Sequence, residues 1–556
     1  MRKSKSRLAC ISGVLVVCIA AVVCLFLAVL SAWRCSAGQF TRYAVAADSR
    51  RCSDIGRAIL QQGGSAVDAA IAALFCTSLV NPQSMGLGGG AIFTIMDKSG
   101  KVTVISSRET VPKHFKQDLL KNCPTGFKLL PGSEWIGVPG EMKGYAKAHM
   151  LYGKLPWAQL VEPSVKLARD GFPMPEYLGQ LLQYSLIKSL VENTSLCEVL
   201  CRNKTVLRPG DTLRYPKLAE TLETIARHGA EAFYTGKIAH DLISDIEGAG
   251  GSLSLEDLSS FQVRVTNSQA VPLGDYTMHV PPLPAGGALL SFILNIMKGF
   301  NLMPASMHGK HKNLTLHRYI EAAKFANGQR RKIRDPSYHS ENVAYLFETS
   351  FADRVRALIS SESTHPASYY NVTPGADHLG TTHVSVLAED GSAVSVTSTI
   401  NHIFGSAVYS RRTGIIMNNE LADFCGRADS LAAGEQPPSS MAPAILYTKD
   451  REKILVIGGS GGSMITTAMA MSILNHLWFG MSLEDAIKSK VVFVNSKNSV
   501  IFEQGFDQGL INFMSSLGHT VQSADFVLNV VNAVARERGC ISAFSDARKE
   551  GCSAGY

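Results

Sequence analysis

The chain has 556 residues, 46% hydrophobic and 18% charged, a composition that builds a large core and excludes extensive disorder. Its formal net charge is +8, but Arg2, Lys3, Lys5 and Arg7 hold part of that charge and the rest is scattered. No basic stripe is interleaved with aromatics, so no nucleic-acid partner is expected.

In chain order, the first element is the uncharged run "LACISGVLVVCIAAVVCLFLAVLSAW" at 8–33. A bilayer span takes about 20 apolar residues, and this run exceeds the apolar core of a cleaved signal peptide. Basic residues precede it and only Arg34 follows closely. The positive-inside rule therefore predicts a cytoplasmic tail at 1–7, a single-pass type II signal-anchor at 8–33 in the cell membrane, and an extracellular remainder from residue 34. Sequons at Asn193, Asn203, Asn313 and Asn371 agree with an outside location. Of twelve cysteines, Cys10, Cys18 and Cys24 lie in the apolar run. The odd number that remains leaves at least one free or paired between chains.

Residues 53–80 read as two helices. "SDIGRAILQQGG" ends at glycines, and "SAVDAAIAALFCTSLV" opens with a Ser65–Asp68 capping box. The glycine-rich "NPQSMGLGGG" at 81–90 leads into the strand "AIFTIMD". It is no dinucleotide fingerprint, because Ala91 takes the place of the last glycine and a strand follows rather than a helix. "VTVISSRE" at 102–109 reads as a strand. "SVKLARDGFP" at 164–173 reads as a helix end, with Arg169 in the last turn, Gly171 as stop and Pro173 beyond.

The clearest local pattern is "TTHVSVLAEDGSAVSVTSTIN" at 381–401. Two alternating runs flank Asp390-Gly391, the signature of a two-residue hairpin. Folding it brings Thr381, Thr399 and Asn401 to one end and puts Val384, Val386 and Ala388 on one face. "GIIMNNELADF" (414–424) and "PPSSM" (437–441) follow. Residues 454–478 then form an apolar strand, a glycine-rich turn and a helix, an arrangement that presents backbone N–H groups. There is no HExxH, paired CxxC, EF-hand or G-K-[ST] pattern, and His308 and His311 in "HGKH" do not make a ligand set, so neither metal nor cofactor is expected.

In order and approximate spacing, "GTTHVSVLAEDGSAVSVTSTIN", "NNELADF", "PSSM" and "GGSGG" resemble the γ-glutamyltransferases, or glutathione hydrolases. The resemblance runs from about Tyr43 to the C-terminal "SAGY". "SDIGRAIL", "NPQSMGLGGG", "WIGVPGE" and "AGGALLSFILNIMKGFN" look most similar to the type 5, leukotriene-hydrolysing branch. The resemblance implies an α+β N-terminal-nucleophile hydrolase fold, an αββα four-layer sandwich after the membrane helix. It implies a precursor that cuts itself between Gly380 and Thr381. The large chain 34–380 and the small chain 381–556 would then form one domain, held by packing rather than by a necessary disulfide.

The same resemblance implies roles for single residues. Thr381 is the nucleophile, with its freed α-amine, of reference pKa near ~8, as the base. Arg108, Ser439 and Ser440 grip the substrate α-carboxylate, and Glu420 and Asp423 bind its ammonium. Thr399 and Asn401 orient nucleophile and substrate. Gly461 and Gly462 form the oxyanion hole. Cys52–Cys76 and Cys197–Cys201 are the implied disulfides. The implied substrates are glutathione, its S-conjugates and leukotriene C4, with water or amino-acid and dipeptide acceptors and no cofactor.

Taken alone, these residues have plainer accounts. Thr381 and Thr382 suit a strand, and Thr382 and His383 read as structural. Arg108 is a strand-end partner for Glu109, Glu420 and Asp423 favour a helix N-terminus, and the serines fill a loop. The segment "FCGRADSLAAGEQPP" between Asp423 and Ser439 is also shorter than the family pattern. A catalytically weak or inactive surface glycoprotein of the same fold is therefore the alternative expectation.

Overall fold

The hairpin forms where the alternation places it. Thr382–Leu387 and Ala393–Thr399 pair antiparallel, with Thr382 opposite Ser398 and Leu387 opposite Ala393. The connection is a three-residue one, not the two-residue turn that Asp-Gly suggests. Ala388 donates its N–H to the Ser392 carbonyl at 2.9 Å, enclosing Glu389-Asp390-Gly391, and Gly391 takes φ +83°. Asp390 Oδ1 accepts both the Ser392 N–H and its hydroxyl. This local bond favours a turn followed by a left-handed glycine over the tighter form.

The computed structural model describes residues 35–124, 128–372, 380–524 and 530–556. The expected tail and membrane anchor lie outside the described residues, and no helix among those described is long and apolar enough to cross a membrane. Two antiparallel sheets stack face to face. The first runs Cys552–Gly555, Ala44–Ala47, Thr382–Leu387, Ala393–Thr399, Gly90–Met96, Val102–Ser106, Arg264–Asn267. The second runs Cys540–Ser545, Val530–Glu537, Ile454–Ser460, Ala444–Thr448, Tyr276–Val280, Gln269–Leu273. Each sheet pairs strands from both sides of residue 380, so a cut there leaves the two pieces hydrogen-bonded in one body.

Helices cover both outer faces. Arg50–Gln61 and Ala66–Val80 lie on the first sheet, and Gly287–Lys298 and Ile465–Ile473 on the second. Every residue of Ala66–Val80 is buried, as expected of a helix apolar all round. The capping box at Ser65 and Asp68 forms as read. Trp157–Asp170 ends at Gly171, φ +84°. On the outer face of the hairpin, Val384, Val386 and Ala388 join one core with the first helix layer. Between the sheets the packing is part apolar, with Ala44, Leu387, Ile445 and Val456, and part polar. There Ser385 and Ser395 donate to the Asn532 and Ile457 carbonyls of the facing sheet.

Cys52–Cys76 and Cys197–Cys201 are bonded. Two further bonds, Cys35–Cys540 and Cys123–Cys425, join segments on opposite sides of residue 380. Covalent links across the cut thus stand beside the packing that was expected to hold the chains. The first follows from the bridge between Phe40 and Ile541, which lays the Cys35 segment along the Cys540 strand. Among the described residues, Cys552 forms no disulfide bond, one of the two outcomes the odd count allows. Asn193, Asn203 and Asn371 are exposed, whereas Asn313 is half-buried within the helix Gly309–Asn327.

Candidate active site

The bond between Gly380 and Thr381 is clamped at both of its neighbouring carbonyls. Gly461 donates its N–H to the Gly380 oxygen at 3.1 Å, and the Lys549 ammonium donates to the Thr381 oxygen at 2.7 Å. Thr381 sits at φ +84°, a conformation rarely adopted by a β-branched residue and characteristic of functional sites that store strain. Only glycine fits before it, because a Cβ at Gly380 would lie 1.8 Å from the Asn401 carbonyl oxygen. Gly461 (φ +118°) and Gly462 (φ +58°) follow the strand Ile454–Ser460. Successive left-handed glycines of this kind turn backbone N–H groups toward an anion.

Thr381 Oγ1 is buried and shares a hydrogen bond with Thr399 Oγ1 at 3.1 Å. The Asn401 N–H donates to the same Thr399 oxygen at 2.8 Å. Asn401 Nδ2 reaches the Asn419 carbonyl at 3.2 Å, next to Glu420. The hairpin end thus gathers Thr381, Thr399 and Asn401 as the alternation predicts. Thr382 instead donates to Asp48 Oδ2 at 2.6 Å. His383 lies between Thr397 Oγ1 and Ser385 Oγ, both at 2.9 Å, and burial pushes its pKa down to about 3. It is a neutral linker in the polar layer between the sheets.

Arg108 is fully buried just past the strand Val102–Ser106. Its guanidinium pairs with Glu420 and, at 2.6 Å, with Asp423. It also donates to the Pro437 and Pro438 carbonyls. The plain pairing with Glu109 is the long one, at 3.9 Å. Burial raises the Glu420 pKa against the pull of Arg108. Burial likewise raises Glu109 to about 8, again opposed by Arg108. Glu420–Phe424 is a short 3-10 helix, and its tight i,i+3 repeat sets Glu420 and Asp423 on one side.

Ser439 Oγ accepts the Met441 N–H at 3.1 Å. Ser440 Oγ accepts from Arg330 Nη1 at 2.7 Å, while Arg330 Nη2 reaches the Ser463 carbonyl at 2.5 Å. Arg330 therefore ties the serine loop to the glycine turn. It went unread in the sequence, although the basic run "RRKIR" at 330–334 was there to find. Lys549 and Asp48 were missed for a different reason. They meet 3.5 Å apart across 501 residues of chain, and no local spacing announces that. Lys549 also donates to Ser460 Oγ at 2.8 Å; burial lowers its pKa and Asp48 opposes the shift.

A cavity of about 370 Å³ opens over Asp423, Ser439, Ser440 and Ser463; Thr381 is not on its wall. Elsewhere, His317, Glu321 and His519 form the one cluster with metal-ligand types among the described residues. The Lys324 ammonium donates to His519 Nδ1 at 2.9 Å, and the two imidazoles bond each other at 2.9 Å, so the cluster is an internally satisfied network.

A family model described as gamma-glutamyltranspeptidase matches residues 52–556. Glutathione hydrolase 5 proenzyme of Rattus norvegicus is 47% identical, covering 94% of this chain and 94% of its own. The Homo sapiens protein of that name is 46% identical with the same coverage. Among solved structures, cephalosporin acylase from Bacillus halodurans superposes with a TM-score of 0.84 at 24% identity, over 94% of this chain and 97% of its own, a likeness of fold.

Proposed function

The chain belongs to the γ-glutamyltranspeptidase family, and we propose that it is a self-processing γ-glutamyl hydrolase and transferase of the cell surface. The observation that carries this reading is the contact of Gly461 N–H with the Gly380 carbonyl oxygen, beside a Thr381 held at φ +84°. The relatives' designation as proenzymes agrees with it.

In the first reaction Thr381 Oγ1 attacks the Gly380 carbonyl carbon. Negative charge develops on the oxygen that Gly461 already contacts, and stabilisation there is worth roughly 3 kcal/mol per donor in comparable sites. The C–N bond breaks, an ester to Thr381 forms, and the Thr381 nitrogen takes the hydroxyl proton. Water then hydrolyses the ester, releasing the Gly380 carboxylate and a free Thr381 amine.

In turnover that amine accepts the Thr381 hydroxyl proton as Oγ1 attacks the γ-glutamyl amide, and returns it to the departing amine. A γ-glutamyl ester remains and passes to water or to an amino-acid or dipeptide acceptor. The buried cluster of Arg108, Glu420 and Asp423 suits a zwitterion. The substrate α-carboxylate takes Arg108 with Ser439 and Ser440, and its ammonium takes the carboxylates. Each charge released from the internal pair then finds a new partner, as burial demands. Thr399 and Asn401 hold the nucleophile, and Gly461 and Gly462 receive the oxyanion.

The donors in this reading are glutathione, its S-conjugates and leukotriene C4, and residues 8–33 anchor the enzyme facing outward. The short segment after Asp423 is not loose. Phe424 and Leu431 pack with Leu119 and Trp135, and Cys425 is bonded to Cys123, which favours the enzyme over an inactive glycoprotein. The test is N-terminal sequencing of the smaller chain, expected to begin at Thr381, with Thr381→Ala left uncut. A single, fully active chain overturns the proposal.

A further inference from the structure

The cavity over Asp423 and Ser440 is lined by a high density of arginine: Arg330, Arg331, Arg334 and Arg427. The acids beside them are largely committed. Asp423 is held by Arg108, Asp429 is shared by Arg334 and Arg427, and Glu435 pairs with Arg427 and His339. Arg331 differs. It is exposed at the rim, its guanidinium borders Gly426, and among the described residues it enters no ion pair. Among the described residues, Arg331 therefore adds positive charge to the wall without a counter-ion.

The place of this charge matters. The cavity touches the serine loop and Asp423 at one end, and Ser463, one residue past the glycine turn, at another. A γ-glutamyl group seated on the first set, with its amide carbonyl at the glycine turn, directs whatever lies beyond the amide into this space. We infer that the cavity is the subsite for that distal part, and that Arg331 selects a carboxylate there, on the leaving peptide or on the incoming acceptor. The inference rests on the γ-glutamyl reading above and adds a specificity residue to it. A guanidinium fork binds a carboxylate through two parallel hydrogen bonds, and the exposed setting of Arg331 keeps the gain modest.

The experiment compares two donors that differ by one charge, glutathione and its C-terminal glycine amide, on the processed enzyme and on Arg331→Gln and Arg331→Glu. The wild type should favour the acid in kcat/KM by about tenfold, mostly through KM. Arg331→Gln should bring the acid-to-amide ratio near one, and Arg331→Glu should invert it. A ratio unchanged in Arg331→Gln, or a wild type indifferent to the charge, overturns the inference while leaving the γ-glutamyl reading intact. If the wild type turns over neither donor, the γ-glutamyl reading itself falls and the subsite falls with it.

Discussion

The backbone N–H of Gly461 meets the carbonyl oxygen of Gly380 at 3.1 Å while the two are still in one continuous chain. In the proposed self-cleavage, this contact puts an oxyanion donor in place before the cut. Gly461 is left-handed at φ +118°, a position that strains any side chain. Gly461→Ala should fold but slow self-cleavage by about 10- to 100-fold, in line with misplacing one oxyanion donor. Following the appearance of the two chains on a reducing gel after synthesis checks this; an unchanged rate removes Gly461 from the mechanism.

Covalent linkage across the cut is the second expectation. Cys35–Cys540 and Cys123–Cys425 each bridge the two sides of residue 380. The processed protein should run as one band without reductant and as two with it. Cys540→Ala or Cys425→Ala alone should leave the chains joined, and the double variant should release them in denaturant only, because each sheet pairs strands from both sides of the cut. Two bands from wild type without reductant would show the bridges absent.

Arg108→Lys separates recognition from self-cleavage. The variant keeps a positive charge against Glu420 and Asp423 but loses the planar fork. Self-cleavage, which involves no γ-glutamyl ligand, should proceed normally. Hydrolysis should fall by about 100-fold in kcat/KM, the scale of a charged hydrogen bond of roughly 2–3 kcal/mol. If deleting the substrate's α-carboxylate costs the mutant as much as the wild type, Arg108 does not contact that group.

Arg330 acts through its neighbours, bridging Ser440 Oγ and the Ser463 carbonyl. Arg330→Gln should loosen the serine loop, raising KM for γ-glutamyl donors about tenfold with a smaller fall in kcat. Arg330→Lys should restore part of the loss. A pure kcat effect with KM unchanged would place Arg330 with the reacting atoms instead.

Two buried groups shape the pH dependence of stability in opposite senses. Burial depresses the His383 pKa to about 3, so its contribution is complete above the unfolded value near 6.5 and is lost as pH falls toward 3. That amounts to something on the order of 5 kcal/mol. Burial raises the Glu141 pKa to about 8, against the hydrogen bonds from Tyr145 and Ser398. Its contribution is complete below the unfolded value of 4.5 and is lost as pH rises through 8. Melting temperature against pH should therefore flatten between about 3 and 6.5 in His383→Asn and between about 4.5 and 8 in Glu141→Gln. Parallel curves for either variant would refute the assignment for that residue.

Several features were legible in the residues themselves, because their physics is local. The Ser65–Asp68 cap needs only three residues of spacing, and the period-two runs of 381–401 bring residues 399–401 to the Thr381 end, while the three-residue turn sets the exact register. The glycine pair at 461–462 announces a left-handed turn that glycine adopts without strain. The resemblance to a family then attached roles that spacing could not. What only the tertiary structure decided are meetings across hundreds of residues. Lys549 and Asp48 flank Thr381, Arg330 joins two loops, Arg108 closes on Glu420 and Asp423, and the bridges span the cut. Local alternation sets which face a side chain takes, but its partner depends on how two sheets stack. The charges and cysteines buried between them declare their partners only once the chain has brought them together.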